Sequence, residues 1–187
     1  MRIITGTYRG RILKSPPNYK IRPTSDRLRE TLFNVLNPKI SGLTRFLDLC
    51  AGTGAIGIEA ISRGARFATF VDISRKNCGL IETNLDLVGI PEEETEVICS
   101  PAEEFVKRAQ EAQKQSWDIV YFDPPYENDY LYVLGKFGEE DSKLLNAGGL
   151  FIAEHSKRIN LPDKTGKLRR WRILRQSDSY LSFYEKQ

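Results

Sequence analysis

The chain has 187 residues, of which 40% are hydrophobic and 28% charged, and it carries a net charge of +3. A chain of this length buries roughly two-thirds of its unfolded surface, so one globular core without disulfide or metal staples is expected. No run reaches the ~18 apolar residues of a bilayer span, the first residues lack a signal peptide's apolar stretch, and Cys50, Cys78 and Cys99 are scattered in apolar runs, so a reduced, cytoplasmic, non-membrane protein is expected.

Residues 2–13 alternate in polarity, with turn signals at Gly6 and Gly10, and predict a short β-hairpin that Pro16-Pro17 ends. Thr24, Ser25 and Asp26 offer helix N-caps, and Leu28, Leu32, Val35 and Leu36 follow a helical period, predicting a helix that stops near Asn37-Pro38. Beyond it, short apolar runs alternate with longer amphipathic stretches. Strands are predicted over 46–50, 67–72, 96–99, 117–122 and 149–154, with helices over 55–63, 74–88, 102–113 and, mostly, 130–145 between them. Repeated strand-then-helix units require a parallel sheet covered on both faces. The tail departs from this pattern, because 170–174 and 180–184 are strands joined by a polar turn and should pair as an antiparallel hairpin. The expected fold is α/β and Rossmann-like: a seven-stranded, mostly parallel sheet with helices on both faces, an antiparallel C-terminal hairpin and a short N-terminal β-hairpin. In this reading residues 1–40 form a basic hairpin-and-helix extension and residues 41–187 the sheet domain.

The small net charge hides a segregation of charge. Residues 1–30 hold eight basic residues against Asp26 and Glu30, a net +6, and residues 157–175 hold eight against Asp163 alone, a net +7. Residues 31–156 hold eleven basic and twenty acidic residues, a net −9. Two cationic ends suit a polyanion, whose binding is driven by phosphate neutralisation; solvated, solubilising side chains are the plainer reading. Metal is not expected, since the chain has one histidine, His155, and no Cys-x-x-Cys.

Asp48-Leu-Cys-Ala-Gly52-Thr-Gly54-Ala-Ile-Gly57 sets a glycine-rich turn between a strand and a helix, where backbone can approach a nucleotide-like ligand. Asp72 ends the next strand, 20 residues after Gly52, where a carboxylate can accept both ribose hydroxyls. Glycines and Asp72 alone also match a dinucleotide fingerprint. Asp48 separates the two readings, because a carboxylate beside the loop repels a pyrophosphate but suits S-adenosylmethionine, which lacks phosphate and carries a sulfonium and an ammonium.

Asp123-Pro124-Pro125-Tyr126 directly follows the strand over 117–122, at the carboxyl edge where doubly wound sheets bind ligands. Exocyclic amines of nucleobases are poor nucleophiles because the lone pair is delocalised into the ring. A carboxylate and a backbone carbonyl, here those of Asp123 and Pro124, can each accept one N–H and aim the lone pair at a methyl group. The prolines restrict the backbone that carries the carbonyl, and Tyr126 offers a ring for an extruded base.

With these elements the sequence resembles class I S-adenosylmethionine-dependent methyltransferases, and among them the RsmD family, which methylates N2 of a guanine in bacterial 16S ribosomal RNA. The resemblance rests on Arg2-Ile-Ile…Arg9-Gly10-Arg11, on Arg22-Pro-Thr24…Asp26-Arg27…Arg29-Glu-Thr-Leu-Phe-Asn34, on the glycine loop running into Glu59-Ala60 with Ser62-Arg-Gly-Ala65, and on Asp123-Pro-Pro-Tyr126. It implies a class I methyltransferase fold and an S-adenosylmethionine site built from Asp48, Ala51, Gly52, Thr53, Gly54, Asp72 and Ile73, with Ser100 or the Ala102 amide at the adenine. It also implies Asp123, Pro124, Pro125 and Tyr126 as the amine-holding residues, Arg9, Arg11, Arg22, Arg27 and Arg29 as RNA ligands, and 16S ribosomal RNA, within a small-subunit assembly, as partner. One departure is Ser100-Pro101-Ala102, where relatives often place Asp or Asn.

Other readings of the motifs remain: a DNA adenine-N6 or cytosine-N4 methyltransferase, against which the chain shows no separate target-recognition domain, a non-catalytic nucleotide- or RNA-binding module, and an NAD-dependent oxidoreductase, which Asp48 opposes. Glu59 reads as a helix-surface or ion-paired carboxylate. His155, at the end of the fifth strand, faces the same edge as the tetrad but is not expected to act as a base.

Overall fold

The computed structural model describes residues 1–15, 26–113, 116–125 and 130–187. Its helices are α1 (Asp26–Leu36), α2 (Ala55–Ser62), α3 (Arg75–Val88), α4 (Ala102–Ala112) and α5 (Tyr130–Gly138). The strands are β1 (Arg45–Leu49), β2 (Phe67–Asp72), β3 (Thr95–Cys99), β4 (Trp117–Phe122), β5 (Leu145–Ser156), β6 (Lys164–Thr165), β7 (Leu168–Gln176) and β8 (Ser179–Lys186). They form one sheet in the order β3-β2-β1-β4-β5-β8-β7-β6. The first five are parallel and the last three antiparallel. The expected seven strands thus become eight, because the chain turns back at Gly166, with φ +55°, and lets two residues pair with β7. Two residues carry no readable period. The predicted helix over 130–145 ends at Gly138 and its last residue belongs to β5.

Each face of the sheet buries its own core. Ile3, Leu13, Leu28, Leu32, Phe33 and Leu36 pack with α2, α3 and the sheet residues Phe46, Phe70, Tyr121 and Phe183 on one face. On the other, α4 and α5 cover Leu47, Val71, Trp117, Phe122 and Phe151. The described part of the basic extension therefore shares the sheet's core and has none of its own. Its hairpin reduces to one antiparallel bridge, Arg2 to Ile12, and is fastened by Glu59, a fully buried residue that accepts the Ile4 and Thr5 N–H groups at 2.8 and 3.0 Å and pairs with Arg63 at 2.8 Å. Ends of helices are set locally: Ser74 caps α3, and Gly89 closes it at φ +71° with the Ile90 N–H bonded to Leu85 O.

Candidate active site

The parallel strands end on one side of the sheet, and β1, β2 and β4 deliver Asp48, Asp72 and Asp123 there. After β1 the chain turns sharply through Cys50, at φ +65°, and Gly52 and Gly54, at φ +57° and +78°. Gly54 starts α2 from a left-handed conformation that disfavours a side chain. Gly57 serves packing, since a Cβ there would lie 2.3 Å from the Phe70 ring.

Two carboxylates hold this turn from below. Asp48 is buried and its Oδ2 accepts the Gly57 N–H at 2.9 Å. Asp72 accepts the Gly52 N–H on Oδ2 and the Ser74 N–H and Asn77 side chain on Oδ1. A carboxylate offers about four acceptor positions, so Asp72 has one left, not two, for a ribose unless a loop bond yields. Asp48 acts from beneath the loop through its charge and its hold on Gly57. Thr53 is buried, and its carbonyl accepts the Asn84 amide at 3.0 Å; the same side chain bonds both Lys14 backbone groups, tying the loop to the hairpin. Ile73 lies beside Asp72 and is 71% exposed, an apolar side chain open to solvent next to the loop.

The electrostatics are dominated by carboxylates. Burial, then the charge of Asp72, pushes Asp48 up to about 8 against the pull of the Gly57 bond. The Cys50 thiol is pushed far up by burial and by Asp72, Asp123, Glu103 and Asp48 around it. Asp123, half-buried, is held well above the usual carboxylate range by burial, then Glu154, then Asp48. Such a cluster ionises fully only beside a cation. The donor set accordingly fits S-adenosylmethionine, with its sulfonium and ammonium, and opposes a pyrophosphate.

Asp123 follows β4, and its N–H donates to Leu49 O at 3.4 Å, which sets Asp123-Pro124-Pro125 against the start of the glycine loop. Pro124 is buried and Pro125 exposed. Phe122 opposite Ala153 is the last register pair of β4 and β5, so Asp123 and Glu154 are the next residues on the two chains; the Glu154 charge acts on Asp123, and its carboxylate accepts the Tyr121 hydroxyl. Glu154 was not among the expected site residues; its single signal is a carboxylate ending an otherwise apolar strand. Tyr126 and Arg22 lie outside the described residues.

The expectations for Arg29, Arg9 and Arg11 are corrected, and that for Ser100 is narrowed. The Ser100 hydroxyl is buried, accepts Arg108 Nη2 at 2.7 Å and donates to Pro101 O, so its proton is committed and one acceptor position is left; Ala102 opens α4 next to it. Arg29 is 1% exposed, bonded to Arg2 O and Asp26 at 2.8 Å each, and is a core residue rather than a phosphate ligand. Arg9 and Arg11 are exposed, but the hairpin docks on the far ends of α2 and α3: Thr7 N–H donates to Ser62 O, and Arg11 caps Val88 O. Helix α3 starts at the site edge and has 14 residues, which places Arg11 about 20 Å away. Arg27 is exposed at the start of α1, whose other end reaches Arg63 through Asn37, so Arg27 is on the site side. His155 is buried with both ring nitrogens engaged, Nδ1 with Ser156 O and Nε2 with Ser182 Oγ, and burial lowers its pKa.

Among the described residues no helix is long and apolar enough to cross a membrane, and no cluster of three metal-ligating side chains occurs. The Escherichia coli ribosomal RNA small subunit methyltransferase D is 39% identical over 155 residues, 82% of this chain and 71% of that one. Its counterpart from Buchnera aphidicola of Acyrthosiphon pisum is 31% identical over 96% of this chain and 91% of its own. The structure of the Escherichia coli protein yhhF superposes with a TM-score of 0.85 at 33% identity, over 100% of this chain and 98% of that one. The family described as conserved hypothetical protein 95 matches residues 1–185. On these grounds, and on a fold that carries the glycine loop and Asp123-Pro-Pro at one edge, the chain belongs to that family, the RsmD family of methyltransferases.

Proposed function

We propose that this protein transfers a methyl group from S-adenosylmethionine to the N2 amine of a guanine in 16S ribosomal RNA, with the RNA presented in a small-subunit assembly. The observation that carries this reading is the carboxylate couple Asp123, just past β4 and bonded to Leu49 O, and Glu154, near the carboxyl end of β5, which act on each other electrostatically. Guanine presents an N1–H next to its N2 amine, a row of donors that ionised carboxylates can accept. Adenine and cytosine place a ring acceptor beside the amine, which an acidic pair disfavours. The cofactor, when bound, supplies an electrophilic methyl group on a positively charged sulfur. Asp123 accepts one amine N–H and the Pro124 carbonyl the other, fixing the lone pair in line with the methyl group and stabilising positive charge on the attacking nitrogen. Ile73 and the loop backbone orient the cofactor, and Asp48 supplies charge beneath it.

Asp123→Ala is expected to lower turnover by at least 100-fold while cofactor affinity changes less than about threefold, because the lost interactions operate on the amine in the transition state. A variant that loses cofactor binding and turnover in parallel would move Asp123 into the cofactor site.

A further inference from the structure

A row of rings crosses the site edge beyond the expected tetrad. Phe122, the residue before Asp123, meets Tyr130 edge-on at 5.6 Å; Tyr130 meets His155 at 6.3 Å; His155 meets Tyr180 at 5.9 Å. The last member carries a cation, with the Arg175 guanidinium 5.7 Å from the centre of the Tyr180 ring. His155 is locked by bonds to Ser156 and Ser182, so Tyr180 stands on a fixed support. Tyr180 is half-buried and Arg175 exposed, so the outer side of the stack faces solvent.

Its position follows from register. Tyr180 pairs with His155, one residue past Glu154, and with Arg175 across β7 and β8. Across the sheet the Tyr180 backbone is therefore two strand spacings from β4, about 10 Å, and that of Arg175 three, about 14 Å, both on the face that carries Phe122 and Tyr130. That is one or two nucleotides of extended RNA away from the target amine. Lys157 and Arg158, both exposed, follow β5 at the same edge, and Asp178 pairs with Lys157. The edge is thus cationic beside an acidic pocket.

We propose that Arg175 and Tyr180 form a stacking platform for an unpaired nucleobase next to the target nucleotide of the RNA. The proposal rests on the RNA-methylating reading above. A planar guanidinium backed by an aromatic ring stacks any base without reading its sequence, and the neighbouring cations meet its phosphates. Arg9 and Arg11 of the N-terminal hairpin lie at the far ends of α2 and α3, too distant for this task, whereas the C-terminal hairpin reaches the site edge.

The test uses the full chain with small-subunit particles reconstituted on 16S RNA that lacks the modification, reading particle affinity by fluorescence anisotropy, KM for the particle by methyl transfer, and cofactor affinity by calorimetry. Tyr180→Ala is expected to weaken RNA binding and raise its KM by about 5- to 100-fold, the range for one lost base stack, with kcat at saturating RNA and cofactor affinity nearly unchanged. Tyr180→Phe should retain wild-type KM. Arg175→Lys keeps the charge but removes the plane, and should still raise KM several-fold; being at an exposed position it also serves if Tyr180→Ala fails to fold. An abasic substitution at the flanking nucleotide should erase the difference between wild type and Tyr180→Ala. Wild-type RNA affinity and KM in both Tyr180→Ala and Arg175→Lys would overturn the platform. Absence of methyl transfer by the wild-type chain would overturn the functional reading instead.

Discussion

Asp48 makes cofactor binding depend on pH in a calculable way. In the ligand-free protein its pKa stands at about 8 because the group is fully buried and has Asp72 nearby, so about nine-tenths of the molecules carry it protonated at pH 7. A cationic ligand above the loop favours the ionised form, and binding must then expel the proton. Well below pH 8 this costs a factor of about ten in apparent affinity per pH unit, so between pH 6 and 7, where the ligand's own ammonium stays charged, the affinity for S-adenosylmethionine should rise close to tenfold. Calorimetry at pH 7 in buffers of different ionisation enthalpy should register release of close to one proton. Asp48→Asn keeps an acceptor for the Gly57 N–H and removes the titration, so it should flatten the profile and the buffer dependence together. A wild-type affinity that is the same at both pH values, or an Asp48→Asn variant that keeps the wild-type slope, would refute the reasoning.

The same group bears on stability. Its folded pKa lies above the ordinary carboxylate value, so protonated Asp48 favours the fold at low pH, and that contribution is lost as pH rises through about 8. Ligand-free Asp48→Asn should accordingly gain on wild type in urea denaturation at pH 8 and show little advantage at pH 4. Glu59→Ala removes the partner of buried Arg63 and of two hairpin N–H groups, and should cost about 3–5 kcal/mol, with faster hydrogen exchange at Ile4 and Thr5. Gly57→Ala forces a methyl against the Phe70 ring and should cost about 1–3 kcal/mol in the same denaturation assay. Arg27→Ala should weaken RNA binding and reduce the salt dependence by about one log–log unit if it meets one phosphate, whereas Arg9→Ala, at the remote end, should leave KM for RNA unchanged.

The alternation of the parallel half was readable because strand and helix periods differ, and the predicted strand over 67–72 coincides with β2. The glycine loop was readable because its turn needs residues tolerant of positive φ. Residues whose type misstates their environment were harder. Arg29 reads as an RNA ligand because guanidinium groups are seldom buried, yet it falls in helical register with Leu32, Phe33 and Leu36 on the buried face of α1. Asn84 likewise occupies the Ile81, Leu85 and Val88 face of α3, an apolar position where only a tertiary partner explains an amide. The narrowing at Ser100 has another cause: Arg108, eight residues later, bonds its hydroxyl, and no local spacing announces that bond. The separation of Arg9 and Arg11 from the site depends on which ends of α2 and α3 the hairpin grips, a long-range choice set by Glu59, Ser62 and Val88.

The central claim is that the acidic pair at the ends of β4 and β5 directs methyl transfer to a guanine amine. Incubating the protein with S-adenosylmethionine and small-subunit ribosomal particles lacking the modification, then mapping methylated nucleosides in the 16S RNA by mass spectrometry, tests it most directly. The account predicts one N2-methylguanosine, present with wild-type protein and absent with Asp123→Ala. Methyl groups on adenine or cytosine, or equal N2-methylguanosine from the Asp123→Ala variant, would contradict it.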